Sequence, residues 1–395
     1  MKSTTRALIA TALVLGVAGT AALPASAAPP APVSAPASVS ASVQAPNPAL
    51  EAAIAGLPND RATAALVRVG GTESVWRGAS GVHDLESDRP ADPDGRFRAG
   101  SVTKVFTAAV ALQLAAEGRL DLDRPARSYL PELIPGRYGK VTVRQLLDHT
   151  HGIPAADFAG DTVEEWYTNR FQIHDPRKTV RSATAKKPEF APGTKQHYLN
   201  IGYTITGLLI ERVTGDSYEH QVAARVLRPL GLRGTYFPGT DPRIRSPHNH
   251  GYQRMTLDDG TTGLRDVSVW GTTDGWAAGD IISTTADLER FTQALFQGRV
   301  VRGPLLEEMF TLPKVADFRS GDPAAFSIGL SMKRLGGREV WGKTGGRWGY
   351  NAAIASTRDG ARTLVYSVNS TDAKGQDMNE VALKLMLATY GMPSA

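Results

Sequence analysis

Three short groups of residues could do chemistry together. Ser101 and Lys104 stand three apart in "GSVTK", just ahead of a run from Val105 to Ala116 that carries no charged side chain. That run predicts a buried helix, and three residues make nearly one turn, so the lysine shares a face with the serine at the helix mouth. A hydroxyl there sits among free backbone N–H groups at the positive end of the helix dipole. Burial drives a lysine's pKa down, and a desolvated amine beside a serine helps to activate it as a nucleophile. The plain alternative is an N-cap serine next to a surface lysine.

The second group is Tyr198-Leu199-Asn200, which follows the Pro-Gly turn of "FAPGTK" and precedes a helix. That context puts the phenol on a loop. Neighbouring ammonium groups favour a phenolate, which makes Tyr198 a candidate proton shuttle. Asn200 offers a donor and an acceptor to an amide-bearing substrate. A rival, Tyr167-Thr168-Asn169, lies in "VEEWYTNRF", which reads as an ordinary charged helix without the turn.

The third group is Lys343-Thr344-Gly345-Gly346 in "VWGKTGGRWGY", at the edge of an expected strand. Paired glycines let a ligand backbone come close. A strand with an unpaired N–H can take an extended substrate as an extra strand and donate to an oxyanion. Lys343 would add positive charge where a carboxylate or a developing anion sits; the plain alternative is a solvated hairpin lysine. Trp348, beside the glycines, is expected to line the substrate groove.

The elements that must position these groups follow from periodicity. "PALEAAIAGL" from Pro48 reads as a short helix, and "ATAALVRVG" and "SVWRGASG" as strands around a Gly-Gly turn. The helix behind Ser101 ends at Gly118, placed as a C′ glycine. Helical pieces such as "TVRQLLDHT", "IGYTITGLLIERVTG" and "YEHQVAARVLRPLG" fill a long middle section. From about Ile281 the pattern is a helix, "TADLERFTQALFQG", then strands "REVWGKTGG", "YNAAIAST" and "ARTLVYSVN", then a closing helix "DMNEVALKLMLATYG". Strands therefore cluster at both ends. The expected architecture is α/β (α+β): a mostly antiparallel sheet flanked by helices, with a helical subdomain at about 119–270 inserted into a domain spanning 48–390.

Composition narrows the rest. The chain has 395 residues, 42% of them hydrophobic and 21% charged, enough for a large core. Residues 1–27 read as an export signal: Lys2 and Arg6, then "ALIATALVLGVAGTAAL", then Ala25-Ser26-Ala27. An uncleaved membrane anchor is the alternative, and no other segment is apolar for long enough to cross a bilayer. Residues 28–47 are Pro/Ala/Ser-rich and read as a disordered linker. A secreted protein is expected. Without Lys2 and Arg6 the net charge of +5 falls to about +3 with no basic stripe, which argues against nucleic acid as a partner. The absence of cysteine excludes a disulfide scaffold and a lipid-bearing N-terminal cysteine.

The ordered set Ser-x-x-Lys, Tyr-x-Asn, Lys-Thr-Gly resembles the penicillin-recognising serine hydrolases. The tyrosine, with "RAGSVTKVFTAAVALQLAAEGRLDLDRPARSYLPEL", "VTVRQLLDHTHGIP", "APGTKQHYLNIGYTITGLLIERVTG" and "WAAGDIISTTADLERF", resembles the branch of class C β-lactamases and secreted serine D-Ala-D-Ala carboxypeptidases. The resemblance spans about Arg61 to the C-terminus. It implies a β-lactamase/transpeptidase-like fold, an acyl-enzyme on Ser101, Lys104 hydrogen-bonded to that serine, and Tyr198 carrying its proton to the leaving amine. It further implies Asn200 at the acylamido side, Lys343 and Thr344 at the carboxylate side, and an oxyanion hole from the N–H groups of Ser101 and Gly346. The implied ligands are D-amino-acid peptides of cell-wall type and β-lactams bound covalently; no cofactor is implied, and a monomer is expected. Relatives of the carboxypeptidase type often carry a hydroxyl where Gly346 stands, so Arg347 is the neighbouring candidate for the carboxylate contact. Ser367-Val368-Asn369 imitates a Ser-x-Asn motif but lies past Lys-Thr-Gly in a strand and reads as structural.

Other activities stay open at this point. A β-lactamase or an esterase would use the same residues and differ in how fast water reaches the acyl-enzyme. A non-catalytic peptidoglycan- or β-lactam-binding protein could keep the fold, although a binder does not need all four of Ser101, Lys104, Tyr198 and Lys343. His149-x-His151 and His248-x-His250 invite a metal-hydrolase reading. The first pair sits at a helix end that suits histidine, and no glutamate stands between helically spaced histidines, so no metal is expected.

Overall fold

Short glycine turns fold much of the sheet. Ala62–Gly70 (β1) and Trp76–Gly81 (β2) form the expected first hairpin. Ser331–Leu335 (β3) and Arg338–Arg347 (β4) are joined by Gly336-Gly337, both left-handed. β4 returns through Trp348-Gly349 as Tyr350–Thr357 (β5), and Thr363–Ser370 (β6) lies between β5 and β1. The order β2-β1-β6-β5-β4-β3 is antiparallel throughout. The structure is a computed structural model that describes residues 46–158, 160–375 and 377–391. The expected export signal, and the expected linker as far as residue 45, lie outside the described residues.

Alternation along the strands sends neighbouring side chains into separate cores. Ala353, Ala355, Leu364 and Tyr366 face a core closed by α1 (Pro48–Ile54) and by the C-terminal helix Glu380–Tyr390. Ala352, Ile354 and Val365 face a larger core built on α2 (Thr103–Ala116), α3 (Ile201–Thr214) and α4 (Thr285–Phe296). We label the C-terminal helix α5. This layered sheet with helices on both faces is the expected fold.

α2 is apolar on every side and correspondingly sunk: Val105, Phe106, Leu112 and Leu114 are all fully buried. Burial of each such side chain contributes about 1.5–3 kcal/mol, which holds the helix in place while it carries Lys104 out of water. A single 3₁₀ turn, Gly100–Val102, leads into it, and left-handed Gly118 lies just past its end as expected. The middle section holds α3 and the short helices Val143–Leu147, Val163–Thr168, Pro176–Ala185 and Tyr218–Val222. It also contains a hairpin, Tyr252–Thr256 with Thr262–Asp266, where only helix and loop had been expected. No helix among the described residues is long and apolar enough to cross a membrane.

Candidate active site

The 3₁₀ turn sets Ser101 at the mouth of α2, and the first turn of α2 sets Lys104 beneath it. The Lys104 ammonium is buried and donates to Ser101 Oγ (3.1 Å), Asn200 Oδ1 (2.7 Å) and the Ala278 carbonyl (2.7 Å). Three donors meet three acceptors, which is how a buried cation is tolerated. Burial, together with repulsion from Lys343 and against the pull of Tyr198, lowers its pKa to about 8. The lysine is therefore no surface residue, and the N-cap alternative fails.

Tyr198 stands between two cations. Lys104 Nζ lies 5.1 Å from the centre of its ring and Lys343 Nζ 4.7 Å from it. The phenol oxygen is buried and makes no hydrogen bond of ordinary geometry. Burial alone would raise its pKa, but Lys104 and Lys343, with help from the Ser101 hydroxyl, bring it down to about 7. A phenol tuned in this way can take a proton near neutral pH and give it back. The ring is pinned by His149 at 4.5 Å and Phe326 at 4.6 Å between centroids. His149 itself adopts φ +64°, rare for a residue with a side chain, and its imidazole is buried and held neutral.

β4 supplies the opposite wall. β3 pairs with it only as far as Gly342, so the edge from Lys343 to Arg347 carries no strand partner among the described residues. The pair Arg347 and Tyr350 closes a two-residue hairpin, and antiparallel alternation then turns the N–H groups of Thr344 and Gly346 toward that open edge. The turn bearing Ser101 lies directly against the strand: a side-chain carbon on Gly345 would stand 2.0 Å from the Ala99 carbonyl oxygen and 2.9 Å from the Ser101 nitrogen. A side-chain carbon on Gly100, at φ +52°, would stand 2.7 Å from the Gly346 nitrogen. The N–H groups of Ser101 and Gly346 thus border one spot beside the nucleophile, the arrangement an oxyanion hole needs.

The remaining expected residues fall unevenly. Asn200 begins α3, gives its carbonyl to Lys104, and keeps its exposed amide N–H₂ for a ligand. Thr344 is exposed on the open edge, whereas Lys343 is buried and donates to the Thr344 carbonyl at 2.9 Å. Arg347 is the departure: its guanidinium is buried and forked onto Asp274, 2.8 Å from Oδ2 and 2.7 Å from Oδ1, which leaves it no free face for a carboxylate. Trp348 caps the hairpin tip against Trp270, 5.7 Å between centroids.

Tyr167 packs against Trp270 in a helix, and Asn369 binds the Asn249 and His250 carbonyls from inside β6, so both rival motifs are structural. Among the described residues no group of three His, Asp or Glu side chains is arranged to hold a metal ion. Phe326, Asp274 and the packing of His149 against Tyr198 were not anticipated. His149 lay in plain view in "LLDHTHGIP", but nothing in its spacing points to Tyr198.

A family model described as Beta-lactamase matches residues 50–386. Among solved structures, the D-stereospecific amidohydrolase from Streptomyces sp. is 32% identical and superposes with a TM-score of 0.75, over 88% of this chain and 99% of that one. Among curated proteins, Esterase EstB of Burkholderia gladioli is 33% identical over 189 residues, 45% of this chain. Penicillin-binding protein 4* of Bacillus subtilis (strain 168) is 24% identical over 312 residues, 76% of this chain and 67% of its own length. The chain spans about half the length of the esterase, 48%.

Proposed function

The chain belongs to the beta-lactamase family of serine hydrolases, and from that premise we propose that it cleaves amide bonds next to D-residues, as a D-alanyl-D-alanine carboxypeptidase-type peptidase of exported, cell-wall-directed kind. The observation that carries this reading is the convergence of Lys104, Tyr198 and Lys343 around the Ser101 hydroxyl. Tyr198, as phenolate, takes the hydroxyl proton while Ser101 Oγ attacks the substrate carbonyl carbon. The oxyanion rests on the N–H groups of Ser101 and Gly346. Collapse breaks the C–N bond, and the leaving amine takes the proton back from Tyr198. A water molecule then repeats the sequence on the ester, freeing Ser101. Lys104 stays cationic throughout and holds the serine oxygen and Asn200 in place.

Likeness to the D-stereospecific amidohydrolase supports D-selectivity, and the free edge of β4 supports an extended peptide. Likeness to EstB favours a second reading, ester hydrolysis by the same steps. Fluorescent penicillin is expected to label the wild type and not Ser101→Ala, and an unlabelled wild type would overturn the acyl-enzyme. Turnover of an acyl-D-Ala-D-Ala peptide against a p-nitrophenyl ester separates the two readings: ester turnover with no D-peptide cleavage sinks the first.

A further inference from the structure

The loop that follows β6 is tied down beside the oxyanion glycine. The Ala373 N–H donates to Gln253 Oε1 at 3.2 Å, and its carbonyl accepts Asn351 Nδ2 at 3.0 Å. Asn351 is the cross-strand partner of Gly346, and a side-chain carbon on Gly346 would stand 3.1 Å from the Ala373 oxygen. The next residue is Lys374. Its side chain is exposed, its ammonium stands 5.9 Å from the Trp348 ring, and it makes neither an ion pair nor a hydrogen bond with the described residues. Its charge is nevertheless felt at Tyr198, Lys104 and Asp274, which puts it at the rim of the site.

The two cations on the open edge of β4 itself are already engaged. Lys343 is buried against Tyr198 and bonded to the Thr344 carbonyl, and Arg347 is forked onto Asp274. Gly346 brings no hydroxyl. The exposed Thr344 hydroxyl and the unpaired Lys374 ammonium are left on this side of the nucleophile. We propose that Lys374 is a specificity-determining residue that recognises a carboxylate on the leaving-group side of the substrate. This rests on the acyl-transfer reading above and names the group that the site selects. A lysine held at the rim by an anchored backbone, whose acidic neighbour Asp274 is already forked by Arg347, stays available to an incoming carboxylate. A hydrogen bond to a charged group is the stronger kind.

The test compares two esters of N-acetyl-D-alanine, one with lactate and one with lactamide as the alcohol, which differ only in carboxylate against carboxamide. The wild type is expected to favour the lactate ester in kcat/KM. In Lys374→Met that preference should fall by about 10- to 100-fold, the range expected for one charge-assisted hydrogen bond. Lys374→Arg should restore most of it, and Lys374→Glu should reverse it. No preference in the wild type, or a preference unchanged in Lys374→Met, overturns the assignment. Discrimination between the esters without cleavage of D-peptides would sink the peptidase reading and leave this one standing, whereas turnover of neither ester sinks both.

Discussion

The Lys343 ammonium stands 4.7 Å from the centre of the Tyr198 ring and acts in the same direction on the phenol as Lys104 at 5.1 Å. With an effective dielectric near ~20, a unit charge at ~5 Å is worth roughly 3 kcal/mol, or about two pK units. Two such charges are what it takes to outweigh the burial that would otherwise raise the phenol.

The pH profile follows from that balance. Activity needs Tyr198 deprotonated and Lys104 protonated, so kcat/KM is expected to rise through about pH 7 and to fall above about pH 8. Lys343→Met removes a charge that lowers both groups, and both limbs should move to higher pH, the acid limb by about two units. A profile that stays in place would remove Lys343 from the tuning of Tyr198.

Tyr198→Phe keeps the ring between His149 and Phe326 and deletes only the oxygen. Its acylation rate is expected to drop by about 10²-fold or more, with Tm within a few degrees of wild type. Acylation at a near-normal rate would transfer the base role to another group, with Lys104 the first to examine.

Gly345→Ala tests the contact between strand and nucleophile. The new methyl would lie 2.0 Å from the backbone oxygen of Ala99, and backbone cannot rotate away as a side chain can. Loss of acylation by at least about 10²-fold is expected, from displacement of the oxyanion donors, together with a fall in Tm. Full activity would mean that Ser101 and β4 are not in the contact described.

Arg347→Met leaves the Asp274 carboxylate in a buried setting without its partner. Removing one half of such a pair costs about 3–5 kcal/mol, and the double variant with Asp274→Asn is expected to recover much of it. Denaturant midpoints measure both. Equal losses in the single and double variants would show that the pair holds no more than its packing.

Acid stability should reflect His151, whose pKa burial lowers to about 3. A group depressed in the folded state contributes stability above its unfolded pKa of about 6.5 and loses it as pH falls toward the folded value. Tm is therefore expected to decline between about pH 6.5 and 3, with His151 contributing up to about 1.4 kcal/mol per pH unit. His151→Gln should have a shallower decline, and an identical slope in the variant would assign the loss elsewhere.

Much of this was legible in the sequence because the signals were local. β1 spans Ala62–Gly70 and β5 spans Tyr350–Thr357, the same residues that read as strands in the sequence. The lysine in α2 betrayed itself by standing at the head of a long uncharged run. Less visible was β3, where "SMKRL" carries two charges and pairs only through the Gly336-Gly337 turn. The hairpin after Gly251 was hidden by its charged turn, "LDDGTTG". The Arg347–Asp274 pair could not have been read at all: its members are 73 residues apart, and nothing local distinguishes either from a surface charge. Lys374 looks like an ordinary loop lysine until its loop is seen bonded to Asn351 and Gln253.

The bare stretch of β4 has one more consequence. An unaccompanied strand margin is normally an invitation to stack copies of a protein edge to edge. Here the Gly100 turn crowds it on one flank and the Ala373 backbone on the other, leaving a slot rather than a ledge. Such crowding suits a slim, extended chain better than a second sheet margin, which would bring its neighbouring strands with it. The same crowding that suits a ligand would work against copies of the protein stacking through this margin.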